Sequence, residues 1–527
     1  MTTLTWAIEM DLGAAIEACD GTPLMDCGGY PILAPNGWTD VTPDVRLSTP
    51  IPFRQGIRGS DVTDRVAAPG ELSFQMDNSA SNSAGLVGYY SPDHANCRLG
   101  FDVGTNVRLK LASGANTYYM RAHVKRVSPR FGLRNERTVD VTATDYMDQL
   151  SMHKLRLIPV QLSKRNDQLV QTILDNLDIQ PLNTSLGVGA DTFSTALNAE
   201  TDEKTFAITA LQKCMQSGMD YLYVRGNSTD GETLVYEPAD TRLLNTTSKA
   251  SLVDTMSGFE VIRSTDKVWN IVRATAYPDK YDVAAVVLWS SNSEISINAG
   301  QSTTVTARYR DPSGLSQRSS LYPGSEVTPV ADTDYKMSSV SNNGGNNLNA
   351  NLSILVEWGG NTAEVTLTNT SASTGYVNLF QLRGRGIYHY DPITTTRENE
   401  GSKYAYGDKE LSFNLPYQGN VNTARDFATD ILKRHFRPIS DVSSVRFFAN
   451  RSSALMTAAL TCVIGDRVTI NETVTGINSD FYINSVQYQV NPGGLLEVNW
   501  LLEPASVSQL WILDDLVLSI LETTTYL

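Results

Sequence analysis

Long apolar runs and closely spaced cysteines are both missing from this sequence of 527 residues. The most apolar segment, residues 510–521, contains two aspartates and is shorter than the roughly 18 residues that a membrane-spanning helix needs. Near the start, Glu9, Asp11 and Glu17 interrupt the place of an apolar signal sequence, so we expect no signal peptide. The five cysteines are scattered without a C-x-x-C pair, which predicts free thiols in a reducing cytoplasm.

Catalytic signatures are missing as well, since the sequence has no G-x-S-x-G, H-E-x-x-H or P-loop lysine motif. The five histidines match no metal-ligand spacing. His435 falls on the apolar side of a predicted helix, where a buried structural histidine is the common case. We therefore expect no enzyme activity, no metal and no cofactor. A glycoside hydrolase stays open, because it needs only two carboxylates at a separation that a sequence does not reveal.

Positive charge is scarce, because 42 Lys and Arg residues stand against 57 Asp and Glu residues, for a formal net charge of −15. Stable nucleic-acid binding needs clustered cations, so we expect none. One basic cluster lies within residues 121–137, and its candidate interface residues are Arg121, Lys125, Arg126 and Arg130. Two interpretations are open: the solvated side of a strand and hairpin, or a docking face for an acidic neighbouring ring of protein.

Hydrophobic patterning predicts a mainly β chain with α+β modules. In residues 1–150, four runs of alternating apolar and polar residues predict a β-rich domain, either a barrel or a sandwich. The apolar positions of these runs are Leu72, Phe74, Met76, Val107, Leu109, Leu111, Met120, Ala122, Val124, Val139, Val141 and Ala143. In residues 151–260, two helical stripes and a hairpin that turns through Gly226-Asn227 predict an α/β module.

Residues 286–385 are poor in charge and rich in Ser, Thr, Asn and Gly. Several alternating runs there predict an inserted β-sandwich, with a loop at 341–349. Strand-like residues on both sides of this segment indicate that it interrupts another domain, which we place at 261–285 and 386–504. Trp289 and Trp358 have the chemistry to stack on sugars, but Trp358 alternates with apolar residues, which favours a core position.

The stretch from Ala424 to Pro504 predicts a helix followed by antiparallel strands that close a small barrel. Asn422 is the expected N-cap of the helix, and Pro438 is the expected stop. The remaining segment, 505–527, is apolar at Trp511, Ile512 and Leu513, which makes it a candidate docking segment. Docking on a partner and folding back onto the barrel are both open.

Two stretches resemble the tail-tip (baseplate) hub proteins of long-tailed bacteriophages, which are similar in fold to the hubs of contractile tails. The first is Glu71-Leu72-Ser73-Phe74-Gln75-Met76-Asp77-Asn78-Ser79, followed by Tyr90-Ser91-Pro92 and Gly104-Thr105-Asn106-Val107-Arg108-Leu109. It resembles the first hub domain. The second is Gly465-Asp466-Arg467-Val468-Thr469-Ile470 with Phe481-Tyr482-Ile483-Asn484-Ser485-Val486, which resembles the closing barrel. Tyr404-Ala405-Tyr406-Gly407 is also similar to the family.

This resemblance implies two hub-type β-barrels and a structural role, joining the tail tube to the distal fibre or spike and forming part of the DNA conduit. It implies a homotrimer whose partners are distal tail or tube ring proteins, a central fibre or spike and the tape measure protein. The location would be the virion tail tip, after assembly in the bacterial host cytoplasm. Because the inserted domain departs from the family pattern, an alternative stays open: a carbohydrate-binding receptor-recognition tail protein that binds a host surface glycan through this domain.

Overall fold

The computed structural model describes residues 2–15, 33–34, 37–59, 61–132, 137–156, 158–197, 205–310 and 318–505. Strands make up 45% of the structure and helices make up 16%. The fold is therefore mainly β with several antiparallel sheets, as the hydrophobic patterning predicts. In these ranges no helix combines the length and the apolar character that crossing a membrane would require.

The first part of the chain forms strands and one short 3-10 turn (Thr42–Asp44). The strands are β1 (Thr5–Met10), β2 (Ala14–Ala15), β3 (Leu33–Ala34), β4 (Thr39–Asp40), β5 (Ile51–Gly56), β6 (Ala68–Asp77), β7 (Asn106–Ser113), β8 (Asn116–Arg130) and β9 (Thr138–Thr144). The four predicted alternating runs are confirmed as β6 to β9, and all of their apolar positions are buried.

Helices and short strands alternate in the next part. They are α1 (Tyr146–Met152), β10 (Gln161–Arg165), α2 (Asn166–Asp175), β11 (Thr184–Leu186), β12 (Thr192–Ala196), α3 (Ala207–Gly218), β13 (Tyr221–Arg225), β14 (Thr233–Glu237), α4 (Ala239–Leu244), β15 (Ala250–Val253) and β16 (Gly258–Phe259). Helix α3 ends at Gly218 as predicted, because Met219 takes a left-handed conformation (φ 56°). The predicted hairpin is confirmed as the antiparallel pair β13 and β14.

The following elements are again mostly strands. They are β17 (Ile271–Ala276), β18 (Asp279–Tyr281), β19 (Val286–Ser290), β20 (Ile295–Ile297), β21 (Ser302–Arg308), β22 (Arg318–Leu321), β23 (Tyr335–Val340), β24 (Gly344–Asn347), β25 (Leu352–Trp358), β26 (Thr362–Asn369), β27 (Gly375–Gly384), β28 (Gly386–His389) and β29 (Ile393–Glu398). The predicted loop at 341–349 is wrong, because residues 344–347 form β24. Asn342 and Asn343 take positive φ values of 60° and 63°, which turn the chain back along β23.

The last described elements are α5 (Glu400–Tyr406), β30 (Glu410–Leu415), α6 (Val421–His435), β31 (Ser444–Phe448), α7 (Ser453–Thr461), β32 (Arg467–Glu472), β33 (Ile477–Asn491) and β34 (Leu495–Pro504). Helix α6 is confirmed and ends before Pro438, but its predicted N-cap is wrong. The side chain of Asn420, not that of Asn422, caps the helix, because Asn420 has an extended backbone and accepts a hydrogen bond from the Asn422 N–H.

A 13-stranded sheet joins strands from both ends of the described chain, in the order β16-β31-β34-β33-β5-β6-β9-β8-β7-β1-β4, with β32 on β33 and β15 on β32. N-terminal and C-terminal strands meet where β5 pairs with β33. Among the described residues no pairing links β4 to β16, the two ends of this order. Two separate closed barrels therefore remain a prediction.

Three apolar clusters form in the described part of the chain. The largest lies under the 13-stranded sheet and includes the buried faces of α2, α3 and α7. A second lies between the sheets of the inserted segment, with buried members from Leu288 to Leu382. The third packs α6 against β17 and β30. Thus β17 shares an apolar cluster with α6, whereas β31 to β34 belong to the large sheet. All of these elements fall in the predicted domain at 261–285 and 386–504, and the domain boundaries remain a prediction.

Candidate functional site

The pairing of β5 with β33, here called the seam, brings the two ends of the chain together. Phe53 lies opposite Tyr488, and both side chains are buried. Gly56 has a φ of +107°, and a Cβ at this position would lie 2.4 Å from the carbonyl oxygen of Asn484. Glycine therefore lets the two backbones approach closely at the end of the seam.

The solvent side of the seam is a cleft of about 440 Å³. Arg54 pairs with Glu71 on neighbouring strands, with 2.5 Å between Nη2 and Oε2. Arg446 pairs with Glu497 in the same way, with 3.4 Å between Nη1 and Oε1. Asn499 completes this lining by donating a hydrogen bond of 3.1 Å to the side-chain oxygen of Gln487. The cleft therefore has a polar surface in which each of these positive charges is neutralised.

A buried ion cluster ties α4 to the C-terminal strands. The Arg242 side chain is only 3% exposed. It donates hydrogen bonds to Glu237 (3.1 Å), Asn484 (2.7 Å) and Glu503 (3.1 Å). Its guanidinium carbon also lies 3.6 Å from the centre of the Tyr221 ring. These contacts fix the α/β module against β33 and β34, because a buried charge that loses its partner is costly.

The turn between β13 and β14 provides a second attachment of this module. The Tyr119 N–H donates to the Asn227 carbonyl (2.7 Å), and the Asn227 N–H returns a bond of 3.2 Å to Tyr119. The Arg121 N–H donates to the Gly231 carbonyl (2.9 Å). The turn thus occupies an edge of β8 that none of the described strands covers.

The motif around Tyr90 forms a locked loop between β6 and β7. Asn78 accepts a hydrogen bond from the Tyr90 N–H (2.8 Å) and donates one to the Ser91 hydroxyl (2.8 Å). The buried Tyr90 hydroxyl donates to Asp44 (2.5 Å) and accepts from Arg98 (3.0 Å). The residues with the family resemblance therefore hold this long connection in one conformation.

The predicted basic cluster divides into engaged and free side chains. Lys125 pairs with Asp148 at 2.6 Å, and Arg130 forms an ion pair with Asp140. Arg126 is exposed and makes no ion pair with any residue that the structure describes. The other candidate interface residues, Trp511, Ile512 and Leu513, lie outside the described residues.

Sequence reasoning missed a cation–aromatic stack beside this cluster. The Arg108 guanidinium lies 4.3 Å from the Trp38 ring centre and 4.4 Å from that of Tyr119. Glu9 pairs with Arg108 at 2.6 Å. Arg121 approaches the other side of this group, at 5.7 Å from Trp38. The alternation in β7 and β8 places Arg108 and Tyr119 on the solvent side, but no local signal identifies Trp38 as their neighbour.

The described ranges contain no cluster of side chains that could bind a metal ion. No group of three or more His, Cys, Asp or Glu side chains there is placed to hold a metal ion. Cys97 and Cys462 are free thiols, Cys214 is buried, and Cys19 and Cys27 lie outside the described residues. Burial lowers the pKa of His435, as suits a structural histidine on the packed side of α6.

The two tryptophans of the inserted segment pack against its apolar cluster. Trp289 and Trp358 are both partly buried there. The ring of Trp289 meets Phe380 edge to face, with 5.9 Å between centroids. The predicted core position of Trp358 is thus confirmed to the extent that its side chain packs on the cluster.

No family model and no curated protein matches the chain. Among solved structures, it is similar to the tail protein from Neisseria meningitidis MC58, with 8% identity and a TM-score of 0.47 over 95% of this chain and 96% of that one. It is also similar to the 43 kDa tail protein of prophage MuSo2 from Shewanella oneidensis, with 10% identity and a TM-score of 0.47 over 95% and 99%. Prophage tail protein gp18 from Listeria monocytogenes EGD-e is similar at 10% identity and a TM-score of 0.39, over 90% and 93%.

Proposed function

We propose that this chain is a structural, non-enzymatic virion protein: the tail-tip or baseplate hub of a long-tailed bacteriophage. It joins the tail tube to the distal fibre or spike and forms part of the DNA conduit. The seam is the observation on which this proposal mainly rests. Two groups of alternating strands from opposite ends of the chain meet there in one sheet, which agrees with an adaptor built from two strand groups. The resemblance of residues 71–79 and 465–486 to hub proteins supports the same function.

The paired charges on the solvent side of the seam agree with the wall of the proposed conduit. DNA sliding past a wall would be retained by unpaired lysines and arginines, because each phosphate contact adds affinity. Arg54 and Arg446 are instead neutralised by glutamates on neighbouring strands. We therefore expect the channel wall to be neutral or acidic. A structure of the assembled tail tip with a continuous basic ring around the channel would contradict this.

The proposed assembly is a homotrimer that contacts distal tail or tube ring proteins, the central fibre or spike and the tape measure protein. A closed ring repeats one contact until no free surface remains. Arg126 is the candidate interface residue that is exposed without an ion pair in the described chain. The segment with Trp511, Ile512 and Leu513 is a further candidate contact. Assembly in the host cytoplasm agrees with the free thiols of Cys97 and Cys462.

A second function, recognition of a host glycan by the inserted segment, is favoured by the separate apolar cluster of that segment. A core of its own would let the segment present a binding surface without disturbing the large sheet. A screen of the full chain against surface glycans separates the two functions. Specific glycan binding that is lost on deletion of residues 286–385 would support glycan recognition. A zymogram on cell wall tests separately whether the chain hydrolyses glycans.

Electron microscopy of virions labelled with an antibody to this chain tests the proposed function. We expect label only at the distal end of the tail tube. Label along side fibres would instead indicate a receptor-binding protein, and virions without label would show that the chain is not a virion component. Virions from a deletion strain, complemented or not by the full chain, provide the matched control.

A further inference from the structure

Among the residues that the structure describes, no strand lies beside one backbone edge of the second half of β8. Residues 116–123 of β8 pair with β7, whereas residues 123–130 pair with β9. The residues just before β7 continue along the same edge of β8 for one more position. There the Gly104 N–H donates to the Val124 carbonyl (2.7 Å), and the Val124 N–H donates to the Thr105 carbonyl (2.8 Å). Beyond that point, among the described residues, only β9 forms backbone hydrogen bonds with residues 126–130. Such an edge is a template for another strand.

A groove of about 400 Å³ runs beside this edge, between Val127 and Pro129 of β8 and the segment 91–94. The far wall is held in place, because Asn78 donates a hydrogen bond of 2.8 Å to the Ser91 hydroxyl. Val127 and Pro129 make the β8 wall of the groove apolar, whereas Ser91, Pro92, Asp93 and His94 line the far wall. A strand added to the edge would place every second side chain in the groove.

The opposite side of the same half-strand is positively charged. Arg126 and Arg130 alternate with Val127 and Pro129, and both arginines are exposed. Arg130 shares its charge with Asp140, whereas Arg126 has no ion pair among the described residues. The other side chains of an added strand would therefore meet cations.

We propose that residues 126–130 of β8 dock an extended segment of a partner protein in which apolar and acidic residues alternate. Val127 and Pro129 on the β8 wall select the apolar positions, and Arg126 and Arg130 on the opposite side select the acidic ones. Pro129 has no N–H to donate, so the new ladder is short and centred on Val127. This proposal rests on the proposed adaptor function in one respect, since an adaptor must have a partner protein. Of the candidate residues in the basic cluster, it assigns the docking role to Arg126 and Arg130.

An octapeptide of alternating Val and Glu is the probe, added to the full-length chain. We expect it to bind in calorimetry and to slow amide hydrogen exchange in residues 124–130. An octapeptide of alternating Val and Lys should do neither. Arg126→Glu should weaken binding by about fivefold, since one exposed charge contact is reversed. Arg308→Glu, at an exposed arginine of β21, should leave binding unchanged.

Absence of protection at residues 124–130 with saturating Val-Glu peptide would overturn the proposal and identify Pro129 as a block that keeps this edge unpaired. Equal binding by the Arg126→Glu variant would overturn it too. If the chain alone forms oligomers that this substitution dissociates, the occupant is a second copy, and a foreign partner is wrong. None of these results changes the position of antibody label on virions, so the proposed function is judged separately.

Discussion

Asp145 caps helix α1 from a buried position, with 1% of the residue exposed. It accepts hydrogen bonds from the Met147 N–H (3.1 Å) and the Gln55 side chain (3.3 Å). Burial nevertheless raises the pKa of Asp145 from 3.8 to about 7. A folded pKa above the unfolded value means that the folded state holds a proton that the unfolded chain releases. This group therefore lowers the stability of the fold as the pH rises from about 4 to about 7.

Asp145→Asn should make stability less dependent on pH, because asparagine retains the cap but does not titrate. We expect the wild-type urea midpoint to fall between pH 5 and pH 7 and the midpoint of the variant to fall less. The difference between the two free energies of unfolding should change by at most roughly 1.4 kcal/mol for each pH unit in that window. Asp178→Asn, at an exposed carboxylate, is the control and should follow the wild type. Parallel curves for Asp145→Asn and the wild type would show that Asp145 does not titrate there.

Arg242→Met tests the buried ion cluster. The substitution keeps most of the side-chain volume but leaves Glu237 and Glu503 without their cation. Breaking such a pair from one side costs on the order of 3–5 kcal/mol. The free energy of unfolding from chemical denaturation measures the loss. Arg308→Met, at an exposed site, should change it by less than about 0.5 kcal/mol. A similarly small loss for Arg242→Met would mean that water replaces the cation.

At the scale of elements, the seam depends on the close approach of β5 and β33 at Gly56. Gly56→Ala should destabilise the fold by two effects, the positive φ of +107° and a Cβ placed 2.4 Å from the Asn484 carbonyl oxygen. Gly104→Ala is the matched control, since its φ is +90° but no heavy atom lies within 4 Å of its Cβ. We expect about 1 kcal/mol for Gly104→Ala and about 2–4 kcal/mol for Gly56→Ala, measured by thermal unfolding. Equal losses would show that the seam adjusts without cost.

The inserted segment is an element that we expect to fold alone. Its apolar cluster is formed by its own strands, and β22 inside it pairs with β28 just beyond residue 385. A fragment of residues 279–389 keeps both β18 and β28 and should unfold cooperatively. The chain without this segment should keep the cooperative unfolding of the large sheet. A disordered fragment, or a deletion that abolishes folding of the rest, would show that the boundary is misplaced.

At the scale of the whole molecule, we expect three copies of the chain in each assembled tail tip. Each chain has two groups of strands, so three chains present six groups to a hexameric tube. Native mass measurement of isolated tail tips, with the tube protein as an internal count, should give three copies. Six copies would indicate a tube-like or distal-tail ring instead. One copy would leave the argument from two strand groups without support.

Local patterning by itself determined most of the elements. Strands β6 to β9, helices α2 and α3, the β13–β14 hairpin and strands β20, β21, β25 and β26 of the inserted segment appear where periodicity predicts them, because the spacing of apolar residues is a local property. The predictions were wrong locally where the backbone conformation of one or two residues determined where an element begins. The positive φ values of Asn342 and Asn343 created β24, and Asn420 began α6 two residues early.

Only the tertiary structure decided which strands and charges meet. The Ser485 hydroxyl donates a hydrogen bond to the Gln55 carbonyl, 430 positions away in the sequence. Neither segment carries a sequence signal that predicts this pairing. Backbone hydrogen bonds are the same for every strand, so pairing partners follow from how the whole core packs. The same reason applies to Arg242 with Glu503 and to Trp38 with Arg108. The sequence determined the strands, and packing of the complete chain decided that its two ends form one sheet.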